Sequence, residues 1–297
     1  MGTFLGHFVP GLALITLGLW HTVNTIRCYY LKGPTNFVSR FWYPFNHSVF
    51  KVRELELILI LFFSILAIIL QVFDYPSFHV IFELDNFEHA TMFLHLAIFT
   101  GFALCAELTH ISECVSGVIG MLGASVFCQE LFLLHFHSTD HAGLEGCYHG
   151  LLQLIVLTSV ISALATTFFP ASFQSALLLS ISVVFQGCWF VNMGFMLWVP
   201  KLAPLGCFGQ KNTISGGEMV HGGAVICESP EADFRARALA NLQFSWILAG
   251  ILVFTGLSSM ILARKRSGVR QLTVYEQLHC RTSDSTSTIN FRQPLDV

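Results

Sequence analysis

Between Glu130 and Gln153 the chain gathers the side chains best suited to chemistry: Glu130, His135, His137, Asp140, His141, Glu145 and His149, with an apolar run on either side. Neutral imidazole nitrogens and carboxylate oxygens are the donors of zinc, manganese and non-haem iron sites. Glu145 and His149 stand four residues apart, which puts both on one helical face, and Gln153 continues that line. Glu130 and His137 share a face of the preceding apolar segment, as do Glu88, Met92 and His95 of an earlier one. Three chemistries are open to such a cluster. It can hold a divalent metal, zinc first among them. Two of its histidines can be axial ligands of haem b. It can also take up protons, since imidazoles and an embedded carboxyl titrate near neutral pH once burial and neighbours act on them. The sequence has no HExxH, CxxC or CxxCH, so the sharper metal and haem signatures add nothing. A histidine near a helix end can equally be structural, capping a carbonyl or facing interfacial water.

The elements that must position these groups follow from composition. Hydrophobic residues make up 54% of the 297 positions and charged residues 11%, against roughly 25% charged in a soluble domain. A hydrocarbon core of about 30 Å needs about 20 apolar residues in a helix. Seven stretches meet that length: 4–26, 55–73, 87–108, 115–134, 150–169, 171–199 and 239–262. No ten-residue alternating pattern suggests a barrel. The expected fold is all-α, a seven-helix integral membrane bundle over residues 1–265 with a long loop at 200–238. Residues 266–297, polar and poor in apolar side chains, are expected to be a disordered tail.

Basic residues orient the bundle. Arg27, Lys32, Arg40, Lys51 and Arg53 fall in or beside the first loop, and Arg264, Lys265, Arg266 and Arg270 follow the last span, so both regions read as cytosolic. The amino terminus is then extracytosolic and the carboxyl terminus cytosolic, as an odd number of spans requires. Lys201, Lys211, Arg235 and Arg237 run against the rule. In this topology His7, His79, His89, His95, His135, His137, His141, His149 and His221 all lie toward the outer face, and His21, His47, His110 and His279 toward the cytosol. The sequon Asn46-His47-Ser48 is cytosolic and would stay bare. Cys207 and Cys227 share the outer loop, where a disulfide between them would contribute about 3 kcal/mol in the chain-entropy account. The segment 264–270 reads as a basic anchor on anionic lipid. Behind it, Tyr275-Glu276-Gln277-Leu278 has the form of a tyrosine-based sorting signal read by vesicle adaptors, through Tyr275 and Leu278. The bilayer is the first expected partner, vesicle adaptors the second; nucleic acid is not expected.

Several short motifs together resemble the transmembrane protein 45 family, also catalogued as domain of unknown function 716. They are Gly6-His7-x-x-Pro10-Gly11, Gly18-Leu19-Trp20, Glu130 with His137, Glu145 with His149-x-Leu151-Leu152, and Gln186-Gly187-x-Trp189-Phe190-x-x-x-Gly194-Phe195. The stretch from Leu133 through His135, His137 and Asp140 to His141 is similar to the plant branch of that family, labelled a viral-response group. Animal members carry an arginine near Thr139, a second histidine near Cys147 and a Trp-His pair where this chain has Trp246-Ile247. With those positions set aside, the resemblance leaves His89, Glu130, His137, Glu145 and His149 as the shared candidate ligands. It implies seven helices and a Golgi or endosomal membrane, and supplies no biochemical activity.

Two functional classes follow. The first is a multi-pass protein of the secretory or endosomal system, or of the plasma membrane, whose outer His/Glu cluster binds a metal ion or senses pH. The second is an integral-membrane enzyme, either a metal-dependent hydrolase or a haem redox protein. Against the hydrolase stands the absence of a late-helix His-x-x-x-His; against a two-haem protein, the poor pairing of His21 and His110 on the cytosolic side.

Overall fold

Apolar length without alternation leaves the backbone one way to satisfy itself in lipid, and the chain takes it. The computed structural model describes residues 3–45, 52–73, 84–136, 143–209, 213–215, 218–220 and 224–286. Among them are seven long helices: α1 (Phe4–Lys32), α2 (Leu55–Val72), α3 (Leu84–Leu108), α4 (Ser116–Phe136), α5 (Gly143–Phe168), α6 (Phe173–Trp198) and α7 (Pro230–Thr286). By length and composition each can cross a membrane. The expected all-α, seven-helix membrane bundle is the fold. Successive helices run antiparallel, so the start of α1, the end of α6 and the start of α7 share one face, called here the N-terminal face.

Local chemistry sets the ends. The Thr3 hydroxyl accepts from Gly6 N at 3.1 Å to cap α1, and Ser172 caps α6 by accepting from Ser175 N at 3.3 Å. The sequence reading starts the fifth helix at 150, but α5 begins at Gly143, which takes a positive φ of 65°. Glu145 and His149 are therefore helical. The last helix likewise begins at Pro230 rather than 239, with Ser229 Oγ accepting from Ala232 N. Proline suits a first helical turn, where its missing N–H is not needed. The backbone of this helix runs on through Thr286. No proline occurs between Glu231 and Thr286 to stop it. Tyr275 and Leu278 fall on this continuation, and residues 287–297 lie outside the described part.

Between α6 and α7, β1 (Cys207–Gly209) pairs antiparallel with β4 (Val225–Cys227), and β2 (Thr213–Ser215) with β3 (Glu218–Val220). Cys207 and Cys227 stand opposite one another in the first pair and are joined by a disulfide. Val225 is 2% exposed and belongs to the main core, so the β1–β4 pair packs on the bundle.

In lipid, helices associate through close packing of small residues, not through the hydrophobic effect. The closest seam joins α1 to α6. A Cβ built on Gly187 would lie 2.5 Å from Ile15 N, and one on Gly18 would lie 2.6 Å from Val184 N. Gly11 faces the Gly187 carbonyl and Val191 in the same way. From this seam α5, α4, α3 and α2 follow in turn, each packed on its neighbour, while α7 rests on α1, α5 and α6. One core cluster, including Tyr148, Leu152, Trp189 and Leu197, fills the α5–α6–α7 side. A second, with Trp42, Leu57, Phe99 and Ile119, fills the α2–α3–α4 side. Exposed Phe62, Phe63 and Leu70 on α2, and Trp246, Val253 and Ile261 on α7, form the apolar outer surface.

Because Gly187 meets backbone atoms that cannot swing aside, Gly187→Ala forces α1 and α6 apart. The expected cost is about 1–3 kcal/mol, read as a lower Tm of the detergent-purified protein. Gly250→Ala, where nothing lies within 4 Å of the added carbon, serves as the control and should leave Tm unchanged or raise it.

Candidate functional site

On the N-terminal face two imidazoles come together from different helices. His7 of α1 and His149 of α5 are 6% and 8% exposed, and their ring centroids are 6.1 Å apart in an edge-to-face arrangement. His149 Nδ1 lies 3.1 Å from the Glu145 carbonyl oxygen, and His7 Nδ1 lies 3.0 Å from that of Thr3. A carbonyl only accepts, so each Nδ1 carries the hydrogen. Nε2 is then the nitrogen whose protonation can change. The His7 ring also stacks on Trp198 of α6, with centroids 4.4 Å apart and planes 26° from parallel. The Trp198 Nε1 donor is buried and has no hydrogen-bond partner among the described residues. One turn toward the surface from His149, Glu145 lines a cavity of about 520 Å³ with Gly143, Leu144, Val225, Glu228 and Asp233.

Deeper in the bundle Glu130 accepts a hydrogen bond from Gln186 Nε2, reaching across from α6. Gln153, on the same line as Glu145 and His149, donates through Nε2 to the Leu134 carbonyl at 3.0 Å, and its Oε1 lies 3.4 Å from His135 Nδ1. Gln153 thereby pins α5 to the end of α4.

The opposite face holds a constellation that sequence reasoning passed over. Glu56, whose side chain is 8% exposed, sits at the start of α2. One carboxylate oxygen accepts from Trp20 Nε1 at 2.8 Å and from Tyr43 N at 2.9 Å; the other lies 2.7 Å from His21 Nε2. The Tyr43 hydroxyl pairs with Thr25 Oγ1 at 2.9 Å, and burial pushes its pKa well above the usual phenol value, so it stays neutral. The loop that carries it also seals this end: Ser39 N donates to the Pro170 carbonyl at 2.7 Å, and Phe37 packs on Tyr29 and Phe173. Partners of Glu56 lie 13, 35 and 36 residues away along the chain. No local periodicity reveals them; an acid opening an apolar run was the sole signal.

The five ligands suggested by sequence thus divide. Glu145 and His149 stay together on α5. Glu130 is paired with Gln186, and His89 sits partly buried near the start of α3. His137 lies outside the described residues. Among the described residues no three His, Cys, Asp or Glu side chains gather so as to hold a metal ion. The pair His7 and His149 supplies two nitrogens of different helices, and His7 was not among the five.

Comparison with known proteins bears out the DUF716 part of the resemblance read from the sequence. A family model described as a family of unknown function, DUF716, matches residues 116–260, from α4 into α7. Transmembrane epididymal protein 1A of Mus musculus is 24% identical over 218 residues, which cover 67% of this chain and 68% of that protein.

Removing the Glu56 carboxylate leaves buried donors unmatched, so Glu56→Ala should cost about 3–5 kcal/mol. Glu56→Gln keeps one acceptor oxygen and should cost less. Thermal unfolding in detergent measures both, and equal Tm values for wild type and Glu56→Ala would rule out the role assigned to this carboxylate.

Proposed function

We propose that this chain, a multi-pass membrane protein similar to the DUF716 family over residues 116–260, resides in the secretory or endosomal system with its N-terminal face turned away from the cytosol, and responds there to acidification. The observation that carries the reading is the buried approach of His7 and His149 beside Trp198. If both rings take a second proton, two cations face each other at about the centroid spacing, a repulsion of about 3 kcal/mol at an effective dielectric of about 20. That is enough to shift a two-state packing of α1 against α5 by about two orders of magnitude. Ionisable groups on this face include Glu145 of α5 and, around the cavity, Glu228 and Asp233, with Arg237 of α7 acting on Cys147, two residues from His149. α6 contributes aromatic rings alone, Phe190 and Trp198. The Cys207–Cys227 disulfide supports an extracytosolic N-terminal face, because disulfides persist in oxidising compartments. A Golgi or endosomal address, and adaptor recognition through Tyr275 and Leu278, belong to the same reading. Of the five residues suggested by sequence, Glu145 and His149, which stay together on α5, are the proposed start of a metal site, with zinc as the ion to try first.

Stacking of Trp198 on His7 provides the readout, because a protonated imidazole quenches indole emission. Tryptophan emission of protein in nanodiscs should fall reversibly between pH 7.5 and 5. The change should vanish in Trp198→Phe and in the His7→Phe, His149→Phe double variant. An unaltered response in the double variant would refute the pH reading. Quenching by Zn²⁺ at constant pH that the same variants abolish would instead assign the pair to a metal site.

A further inference from the structure

α3, α4, α5 and α6 contain no Lys or Arg, yet α4 places Glu130 within the span. A charge at that depth needs an answering charge or a full set of hydrogen bonds. Among the described residues Glu130 has one hydrogen-bond partner, Gln186, whose Nε2 donates to the carboxyl Oε1. Gln186 is 2% exposed, and its own Oε1 is enclosed with no partner among the described residues. An acceptor left so in an apolar interior is costly.

Few groups can supply the missing hydrogen. Because Oε1 is enclosed, neither water nor a small molecule reaches it unless the helices part. The donors three and four residues along α6 are committed, Trp189 Nε1 to the Tyr148 carbonyl and Ser182 Oγ to the Leu179 carbonyl. Ser159 Oγ of α5 donates to Ser182 Oγ. Turning the amide over does not help, since it would set Oε1 against a carboxylate oxygen and leave the N–H group unmatched instead. One donor remains. A carboxylic acid carries O–H on one oxygen and accepts at the other, which complements a primary amide that donates N–H and accepts at its oxygen. The two planar forks then close with two bonds, Gln186 Nε2–H to Glu130 Oε1 and Glu130 Oε2–H to Gln186 Oε1.

We propose that Glu130 is a proton-binding site, and that its bound proton latches α4 to α6 through this two-point acid–amide pair. Among the described residues it is the one side-chain hydrogen bond between these helices. α4 lies between the two cores: Leu122 and Val126 pack on the α2–α3–α4 cluster, Phe127 and Leu131 on the α5–α6–α7 cluster. The latch therefore holds the clusters together. With the proton gone, Oε1 is orphaned and an anion faces apolar side chains, so the stabilisation is present at low pH and is lost as pH rises.

Few ionisable groups stand at this level. On α4 itself Cys128 is exposed, and His135 lies more than a turn away beside Gln153. Phe99 of α3 meets Gly123 of α4, which brings residues 91–93 level with Glu130 and leaves His95 within about one turn. Gln153 on Leu134 sets residues 155–157 of α5 at the same height, all apolar, with His149 about two turns off. Cys188 of α6 is two residues from Gln186 and so points to another side of the helix.

Infrared spectroscopy of the full chain in a maltoside detergent, which holds no carbonyl, tests the latch. At neutral pH wild type should show a carboxylic-acid C=O band that shifts in D2O and that Glu130→Gln removes. Gln186→Leu takes away both partners of the acid and should move that band to higher wavenumber, a readout that stands even if Glu130→Gln fails to fold. Glu130→Gln puts a second amide in place, able to make the same two bonds, so its Tm should match wild type at neutral pH and stay level into the alkaline range where wild type falls. A Glu130→Gln spectrum that superimposes on wild type would leave Glu130 ionised and overturn the proposal. So would an acid band that Gln186→Leu does not move, or Tm curves that run parallel. None of these signals involves His7, His149 or Trp198, so the latch and the emission response fail separately.

Discussion

The close seam between α1 and α6 determines where the polar side chains can meet. With glycine at positions 11, 18 and 187, the two backbones approach until they touch, and their register is fixed by steric fit. That register carries His7 to the end of α6, under Trp198 and opposite His149. At the other end of α1 it leaves Trp20 and His21 facing the start of α2, where Glu56 receives them. A looser seam would put side chains between the backbones and dissolve both groupings. Apolar close packing, which has no chemistry of its own, thus positions the chemistry.

Polar matching explains most of what remains. Tyr148 donates to Gln243, which also accepts from Asn192, tying α5, α6 and α7 together. Trp189 Nε1 donates to the Tyr148 carbonyl. These groups are satisfied and read as interhelical glue. The unmatched buried side-chain atoms among the described residues, Ser64 Oγ, Gln186 Oε1 and Trp198 Nε1, stand out against that background. Two of the three adjoin ionisable groups, Glu130 and His7.

Whatever depends on apolar length was legible in the sequence, and so were the seven spans. Ends set by polar residues were not. The four-residue spacing of Glu145 and His149 showed their shared helical face, but apolar length alone starts the span at 150, and Gly143 starts the helix ahead of them. Gln186 was readable as an interhelical hydrogen-bonding residue, but its partner Glu130 lies 56 positions away and nothing local names it. His7 was visible as part of a short amino-terminal motif; its proximity to His149 comes from the register of α1 on α6. Glu56 was least legible, since its environment is made by α1 and the first loop.

Separation in sequence between Glu130 and Gln186 also bears on how the protein is made. α4 enters the membrane before α6 exists, and the carboxyl stands 56 positions ahead of the amide that holds it. At about 5–20 residues per second of synthesis, the nascent chain carries an unmatched acid for roughly 3–11 s. α4 is thus a marginal insertion segment until α6 arrives, and belongs to the insertion machinery or the lipid boundary before it belongs to the bundle.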